Sequence, residues 1–192
     1  FLCLFFSIFT LILIYVPKRS HSYPRPSHSN VGTNALGCAN YCGPNRLQIV
    51  KFLVEKCGFL LDFRNDAGES ILTDIGESED GDPEILRYVL DRCCAADFVN
   101  HRIRGKTFVW RVIYKSFRTL VFLKAVDADS GLPAHLARCS GSTALHHAVR
   151  RGDVDVVNLL LECGADPTIK NNLGKTPVDY CDLFPELRGA IK

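Results

Sequence analysis

Residues 141–153 read GSTALHHAVRRGD, and residues 154–168 continue as VDVVNLLLECGADPT. Apolar side chains recur in the second segment at three- and four-residue spacing, which predicts an amphipathic helix with a face formed by Val156, Val157, Leu160 and Leu161. Gly152-Asp153 predicts a tight turn between this helix and a shorter one before it. The Ser, Thr, His and Asp of the first segment also occur in hydrolases and metal sites, so it must be decided whether the stretch is catalytic or structural.

The same pattern recurs along the chain. Thr143 recurs as Thr176 and Gly141 as Gly174, at a period of 33 residues. The helical segment has counterparts that read IVKFLVE at 49–55, GDPEILRYVLD at 81–91 and TLVFLKAVDAD at 119–129. A short helix pair cannot bury its apolar face alone, so a recurring pair predicts a solenoid in which each unit packs on its neighbours.

This pattern resembles the ankyrin repeat family, whose 33-residue period and T-P-L-H-x-A signature are matched best at residues 139–171. The signature positions, including those of the following unit, are Thr143, Leu145, His146, Ala148, Gly152, Gly164, Asp166, Thr176 and Pro177. The resemblance implies an all-α, ankyrin-type helical solenoid over about residues 30–192, in which His146 makes hydrogen bonds that hold neighbouring units together. Residues 105–115 depart most from the pattern, since Phe108, Val109 and Trp110 stand where Pro, Leu and His are expected.

The chain divides into three parts. Residues 1–16 are uncharged and almost wholly apolar, and we expect a membrane anchor there, although about 20 such residues are needed to span a bilayer. A signal peptide and a mistranslated flank are the alternatives, and because the chain contains no Met we expect residues before Phe1. Residues 17–29 form a linker, and Lys18-Arg19 favour a cytoplasmic remainder. The repeat domain follows, with predicted units at 30–64, 65–101, 102–138 and 139–170 and a cap at 171–192.

Several chemical functions lack their required residues. GKT occurs at 105–107 and 174–176, but a phosphate-binding loop needs a further Gly where Asn100 and Ile169 stand. His146 and His147 are adjacent on a predicted helix and point about 100° apart, so they cannot share one ion. We therefore predict no catalytic, cofactor or metal site and no small-molecule substrate, and the opening stretch is interpreted as structural.

The positions of the cysteines do not indicate a metal site either. The chain has nine Cys, most of them inside apolar helical patterns, which is typical of free, buried thiols in an intracellular protein. The pairs Cys38/Cys42 and Cys93/Cys94 have no second pair at the spacing of a zinc finger.

Charge is segregated, although the net charge is only +2. Residues 62–97 contain eleven acids and three Arg, whereas residues 101–124 contain seven bases and no acid. The two segments could neutralise each other across a unit interface, or the bases could form a strip that attracts an acidic protein partner. By resemblance, ankyrin arrays bind proteins through hairpin tips and the outward face of the first helices, where His147 is expected to face solvent. The predicted partner-binding residues are Arg102, Arg104, Arg111, His147, Arg150, Arg151, Lys170, Asn171, Asn172 and Lys175.

The sequence thus predicts a non-catalytic adaptor or scaffold, membrane-associated with its repeats in the cytoplasm. One alternative is a regulatory arm of a larger membrane-bound enzyme or channel. A second is nucleic-acid binding through residues 101–124, where aromatic side chains alternate with bases as in a stacking platform. Those aromatic residues are Phe108, Trp110, Phe117 and Phe122.

Overall fold

The computed structural model describes residues 35–39, 45–78, 82–126, 131–189 and 191. This part of the chain forms helices and turns without any β-strand, so the predicted all-α class is confirmed. Its α-helices, in chain order, are α1 (Ala35–Ala39), α2 (Arg46–Glu55), α3 (Ile71–Glu77), α4 (Pro83–Arg92), α5 (Ala96–Val99), α6 (Phe108–Phe122), α7 (Gly131–Cys139), α8 (Ala144–Arg151) and α9 (Val154–Glu162). Two 3₁₀ turns follow, at Pro177–Tyr180 and Pro185–Gly189.

The helix ends follow from local side chains. Ser70 caps α3, because its backbone N–H donates to Oγ1 of Thr73 (2.8 Å) while its own hydroxyl accepts from the Thr73 N–H (3.4 Å). Asp153 caps α9 by accepting from the Val156 N–H at 3.1 Å. Gly152 ends α8 with φ of +78°, a left-handed conformation that is favourable only for glycine. These signals give a short helix, a tight turn and a second helix in each stacked pair.

The helix pairs stack directly on one another. The pair α1/α2 packs on α3/α4, and α3/α4 packs on α8/α9, with α3 against α8 and α4 against α9. Gly76 lies at the α3–α8 contact, where a Cβ atom would come within 2.8 Å of the Ala144 carbonyl oxygen. A single apolar core runs through these pairs and includes Val50, Leu86 and Leu145. We call the helices α1–α4, α8 and α9 the repeat stack.

The segment 102–138 differs from the prediction, because it does not form a unit between the stacked pairs. Helices α6 and α7 pack on each other and have their own core around Trp110, Ile113 and Phe117. The chain leaves the stack at Ile103 and returns at Ser142, whose carbonyl oxygen accepts from the Ile103 N–H at 2.8 Å. We call α6 and α7 the inserted hairpin.

The loops between the units lie side by side and join the inserted hairpin to the stack. The Lys106 N–H donates to the Asp66 carbonyl oxygen (2.9 Å), and the Asn172 N–H donates to that of Ser140 (3.0 Å). Nε2 of His101 lies 2.9 Å from the carbonyl oxygen of Gly68. The loops therefore form a continuous hydrogen-bonded edge along which side chains from different units come together.

Within the described ranges, we find no helix with the length and apolar character needed to traverse a bilayer. The predicted anchor (1–16) and linker (17–29) lie outside the described residues. The seven cysteines within them, from Cys38 to Cys181, are free thiols.

Candidate protein-interaction surface

A groove with basic walls runs between helix α6 and the loop edge. Its volume is about 430 Å³, and its cationic side chains are Arg104 from the loop and Arg111, Lys115 and Arg118 from α6. The last three are spaced by four and three residues, which places them on one face of the helix. The other lining residues are Ile103, Gly105, Tyr114, Ser140 and Asn172, so no acid of the described part of the chain faces the groove. We call this the basic groove.

A second groove of about 530 Å³ continues from the first and shares Arg118 and Asn172 with it. Its lining is more apolar, with Val121, Phe122 and Leu173 beside Lys175. Phe122 is 84% exposed, an unusual position for a large apolar side chain. We call this the apolar groove. Together the two grooves offer positive charge at one end and apolar contact at the other.

Hydrogen bonds to the loops fix the walls of the basic groove. Arg111 donates from Nε to the Gly105 carbonyl oxygen (3.2 Å) and from Nη2 to that of Lys106 (2.9 Å). Asn172 donates from Nδ2 to Oγ of Ser140 (2.7 Å). Arg102 lies behind this wall, donating to the Gly141 carbonyl oxygen (3.1 Å) and to Oδ1 of Asn172 (3.1 Å). Arg102 therefore links two loops, and the guanidinium N–H groups that make these bonds are not available to a partner.

The predicted partner-binding residues fall into separate groups. Arg104, Arg111, Asn172 and Lys175 line the two grooves. Arg150 and Arg151 lie near acids of the stack instead: Nη2 of Arg150 is 3.9 Å from Oε1 of Glu77, and Nη2 of Arg151 is 3.6 Å from Oδ2 of Asp153. Lys170 is exposed but lines neither groove.

The expectation that His147 faces solvent is wrong. Its side chain is 2% exposed, because helix α7 covers this part of α8 and brings Cys139 to its ring. Burial lowers the pKa of His147 to about 4, since removal of water disfavours the charged imidazolium.

Asn171, also predicted to contact a partner, is 3% exposed and belongs to the fold. Its Oδ1 accepts from the N–H groups of Leu173 (3.0 Å) and Lys175 (3.1 Å), and its Nδ2 donates to the Tyr180 hydroxyl (3.1 Å). An Asn that satisfies its own turn in this way is a common turn element. It has no polar atom left facing a partner.

His146 connects helix α8 to the following loop. The Thr143 N–H donates to its Nδ1 (3.1 Å), so Nε2 carries the proton and donates to the Lys175 carbonyl oxygen (3.1 Å). Burial lowers the pKa of His146 to about 4, which keeps the ring neutral. Its position is structural, between the unit of Thr143 and that of Lys175.

Sequence reasoning missed two cations of the site, Lys115 and Arg118, although it placed both in the basic segment. Their spacing from Arg111, at four and seven residues, was the available signal. It was not decisive, because only the structure shows that this face of α6 lies opposite Arg104 and Asn172. The cationic groove has the chemistry to bind carboxylate or phosphate groups, and the lining residues that the structure describes include no carboxylate or imidazole to act as a general base.

The stacked helix pairs, with loops paired along one edge, define a helical-repeat protein. The family description "Ankyrin repeat" matches residues 140–172, the segment that forms α8, α9 and the loop after them. The chain therefore contains an ankyrin repeat at residues 140–172. Ankyrin repeats generally mediate protein–protein interaction and are typically not catalytic.

Curated relatives match short parts of the chain. The rat (Rattus norvegicus) mitochondrial disaggregase is 48% identical over 46 residues, which are 24% of this chain and 7% of that protein. Regulatory protein SWI6 of Kluyveromyces lactis is 51% identical over 41 residues, or 21% of this chain and 5% of that protein. Ankyrin repeat-containing protein P1E11.10 of Schizosaccharomyces pombe is 37% identical over 65 residues, or 34% of this chain and 30% of that protein. The chain thus spans less than a third of each of these relatives.

Proposed function

We propose that this protein is a non-catalytic adaptor or scaffold that binds an acidic segment of a partner protein in the basic groove. The observation that carries the proposal is the convergence of Arg104, Arg111, Lys115 and Arg118 on one groove, whose described lining residues include no acid. Cations gathered in a concave site attract an acidic partner over a distance and select against basic ones.

The apolar groove adds a requirement for the partner. Val121, Phe122 and Leu173 lie next to the cations through the shared Arg118. A segment that alternates carboxylates with apolar side chains would place its charges against the arginines and its apolar groups against Phe122. Arginine suits this role because its guanidinium binds a carboxylate through two parallel hydrogen bonds.

A protein partner fits this surface better than single-stranded nucleic acid. A stacking platform requires exposed aromatic faces, but Trp110 is 8% exposed and Phe117 is 5% exposed, both within the core of the inserted hairpin. Phe108 and Phe122 are exposed, at 77% and 84%, but they lie at opposite ends of α6. These positions do not form a row on which successive bases could stack.

We further propose that residues 1–16 anchor the protein to a membrane with the repeats on the cytoplasmic side. The support is the sequence of this segment and the basic pair Lys18-Arg19 after it. Protease protection in sealed vesicles tests the proposal. We expect the protein to stay in the membrane fraction and its repeats to be degraded by protease added on the cytoplasmic side. Release of the protein into the soluble fraction would contradict the anchor.

The binding proposal is tested with two fluorescent peptides, one alternating Glu with Phe and a matched one with Gln in place of Glu. Anisotropy at low and at physiological salt measures their affinity for the full chain. We expect the wild type to prefer the Glu peptide, and the double variant Lys115→Glu/Arg118→Glu to weaken that binding by about tenfold or more, which corresponds to about 1.4 kcal/mol. These two side chains are chosen over Arg102 and Arg111 because no hydrogen bond ties their cationic groups to the loops.

The matched control is Lys56→Glu/Arg87→Glu, which makes the same change of charge at exposed positions outside both grooves. It is expected to retain most of the affinity. Equal weakening in both variants would show a general effect of net charge, and an unchanged affinity in the Lys115→Glu/Arg118→Glu variant would remove the basic groove as the binding site.

A further inference from the structure

Four potential metal ligands meet where the inserted hairpin contacts the repeat stack. His135 and Cys139 lie one turn apart on α7, Glu77 ends α3, and His147 lies on α8. One ligand atom each from Glu77, Cys139 and His147 lie within 4.8 Å of one another. Nε2 of His135 is 3.1 Å from Oε1 of Glu77 and 3.4 Å from Sγ of Cys139. Helix α3 and the consecutive helices α7 and α8 therefore bring donor atoms together, and His135 joins the group through its contacts with Glu77 and Cys139.

The ring of His147 is an independent indication that a ligand belongs there. Its side chain is 2% exposed, and neither Nδ1 nor Nε2 has a hydrogen-bond partner among the described residues. Buried polar atoms in proteins are nearly always paired, because an unpaired one loses its hydration without compensation. A metal ion that accepts the lone pair of one ring nitrogen would satisfy that nitrogen and leave only the N–H of the other without a partner.

We propose that His135, Cys139, Glu77 and His147 form a structural zinc site that fastens the inserted hairpin to the repeat stack. Two imidazoles, a thiolate and a carboxylate are all accepted zinc ligands, and the thiolate favours zinc over magnesium or calcium. In a tetrahedral site with ordinary zinc–ligand bonds, ligand atoms are separated by about 3.3 to 3.8 Å. The two His135 distances are already close to this range. Side-chain rotation that brings His147 and the donor atoms within 4.8 Å of it toward the ion would complete the site.

The local chemistry agrees with this assignment. Burial lowers the pKa of His147, so the ring is neutral and its lone pair is available at neutral pH. Burial also raises the pKa of the Cys139 thiol, so zinc must displace its proton, which passes to solvent as the zinc–sulfur bond forms. The charge of the ion is then balanced by one thiolate and one carboxylate, and Nη2 of Arg150 lies 3.9 Å from Oε1 of Glu77, the oxygen that also contacts His135.

Four protein ligands leave no open position for substrate, as in structural rather than catalytic zinc sites. Two ligands come from the inserted hairpin and two from the stack, so the ion would hold α7, and with it the groove-forming α6, in place. This inference concerns how the hairpin is attached and does not depend on which partner the groove binds.

Zinc binding is measured on the full chain, reduced and freed of metal with a chelator, by competition with a chromophoric zinc indicator. A parallel titration with Co²⁺ shows thiolate ligation through the sulfur-to-cobalt charge-transfer band. Cys139→Ala and His135→Gln are compared with the wild type. The control is Cys94→Ser/Cys163→Ser, which removes a close pair of thiols away from the site, with sulfur atoms 3.8 Å apart.

We expect one zinc ion per chain and a weakening of at least about 100-fold in both site variants, since even changes to groups that only support a ligand weaken binding 10- to 100-fold. The cobalt charge-transfer band should disappear with Cys139→Ala and persist in the control. His135 is partly exposed, so His135→Gln decides the matter if circular dichroism shows that Cys139→Ala does not fold. No zinc bound by the wild type, equal affinity in His135→Gln, or loss of binding in the control would overturn the site.

Discussion

Helix α8 of the repeat stack and helix α6 of the inserted hairpin both follow a Gly-x-Thr sequence, but they pack in different ways. Gly141-Ser142-Thr143 precedes α8, and Gly105-Lys106-Thr107 precedes α6. In both cases the Thr caps the following helix. However, α8 ends after eight residues at Gly152 and the chain turns back, whereas α6 continues for fifteen residues that include no Gly or Pro. The cap sets where a helix starts, and the next turn residue decides whether a repeat pair follows.

The side chains after the cap explain which helix joins the stack. Ala144 and Ala148 face α3 at Gly76, where only small groups fit. Counted from the cap, the same positions of α6 hold Phe108 and Val112, which are 77% and 39% exposed. Helix α6 is too bulky on this side to approach α3 closely. The chain therefore places α8 there and leaves α6 to pair with α7.

The largest expected difference between the two regions is in the response to core truncation. Leu145 is 1% exposed in the core shared by the stacked pairs, so Leu145→Ala should lower the free energy of unfolding by about 2 to 5 kcal/mol. Leu120→Ala removes the same atoms from a half-buried position of the inserted hairpin and should have less than half that effect. Urea denaturation followed by circular dichroism measures both. Equal losses would show that the two regions share one core.

Gly76→Ala tests the close approach of α3 and α8. The added Cβ would lie 2.8 Å from the Ala144 carbonyl oxygen and 3.3 Å from Cβ of His147, so the helices must separate. We expect a loss of about 1 to 3 kcal/mol in thermal or urea unfolding, although alanine favours a helix over glycine. Gly189→Ala, where a new Cβ meets no atom within 4 Å, is the control. A stabilised Gly76→Ala protein would contradict the direct contact.

The two buried histidines of α8 predict a pH dependence of stability. Their pKa values in the folded chain are about 4, because burial disfavours the charged ring, and lie below the unfolded value of about 6.5. Between these two pKa values the unfolded chain therefore binds more protons than the folded chain. The contribution of the two histidines to the free energy of unfolding is fully present above pH 6.5 and is lost as the pH falls toward 4. Each histidine should contribute a loss of about 1 to 2 kcal/mol between pH 7 and pH 5.

His147→Leu tests this prediction for one histidine. The variant should lose less unfolding free energy between pH 7 and pH 5 than the wild type, by the contribution of one histidine. The measurement is urea unfolding at several pH values in the presence of a chelator. A slope that His147→Leu leaves unaltered would show that His147 does not titrate on unfolding.

Local sequence signals were enough to predict the all-α class and the position of His146. The Thr143–His146 pair lies within one helical turn, and its geometry depends on few other residues. The place of segment 102–138 could not be predicted in the same way, because its start resembles that of a repeat and the difference arises from packing against α3. His147 shows the same limit: a helical pattern gives the direction of a side chain on its own helix but not that α7 covers it. The four-residue spacing of His135 and Cys139 is visible in the sequence, but their approach to Glu77 depends on this packing and no spacing indicates it.

Helices α6 and α7 are inserted between two directly stacked helix pairs. The most direct test replaces residues 105–140 by Gly-Asn, which joins Arg104 to Gly141. The ends are close enough for this, because the Ile103 N–H and the Ser142 carbonyl oxygen are hydrogen-bonded at 2.8 Å. The measurement is thermal unfolding followed by far-ultraviolet circular dichroism. We expect a helical protein with one cooperative transition that no longer binds the Glu–Phe peptide. A shortened chain without helical signal or cooperative unfolding would show that 102–138 is a necessary part of the stack.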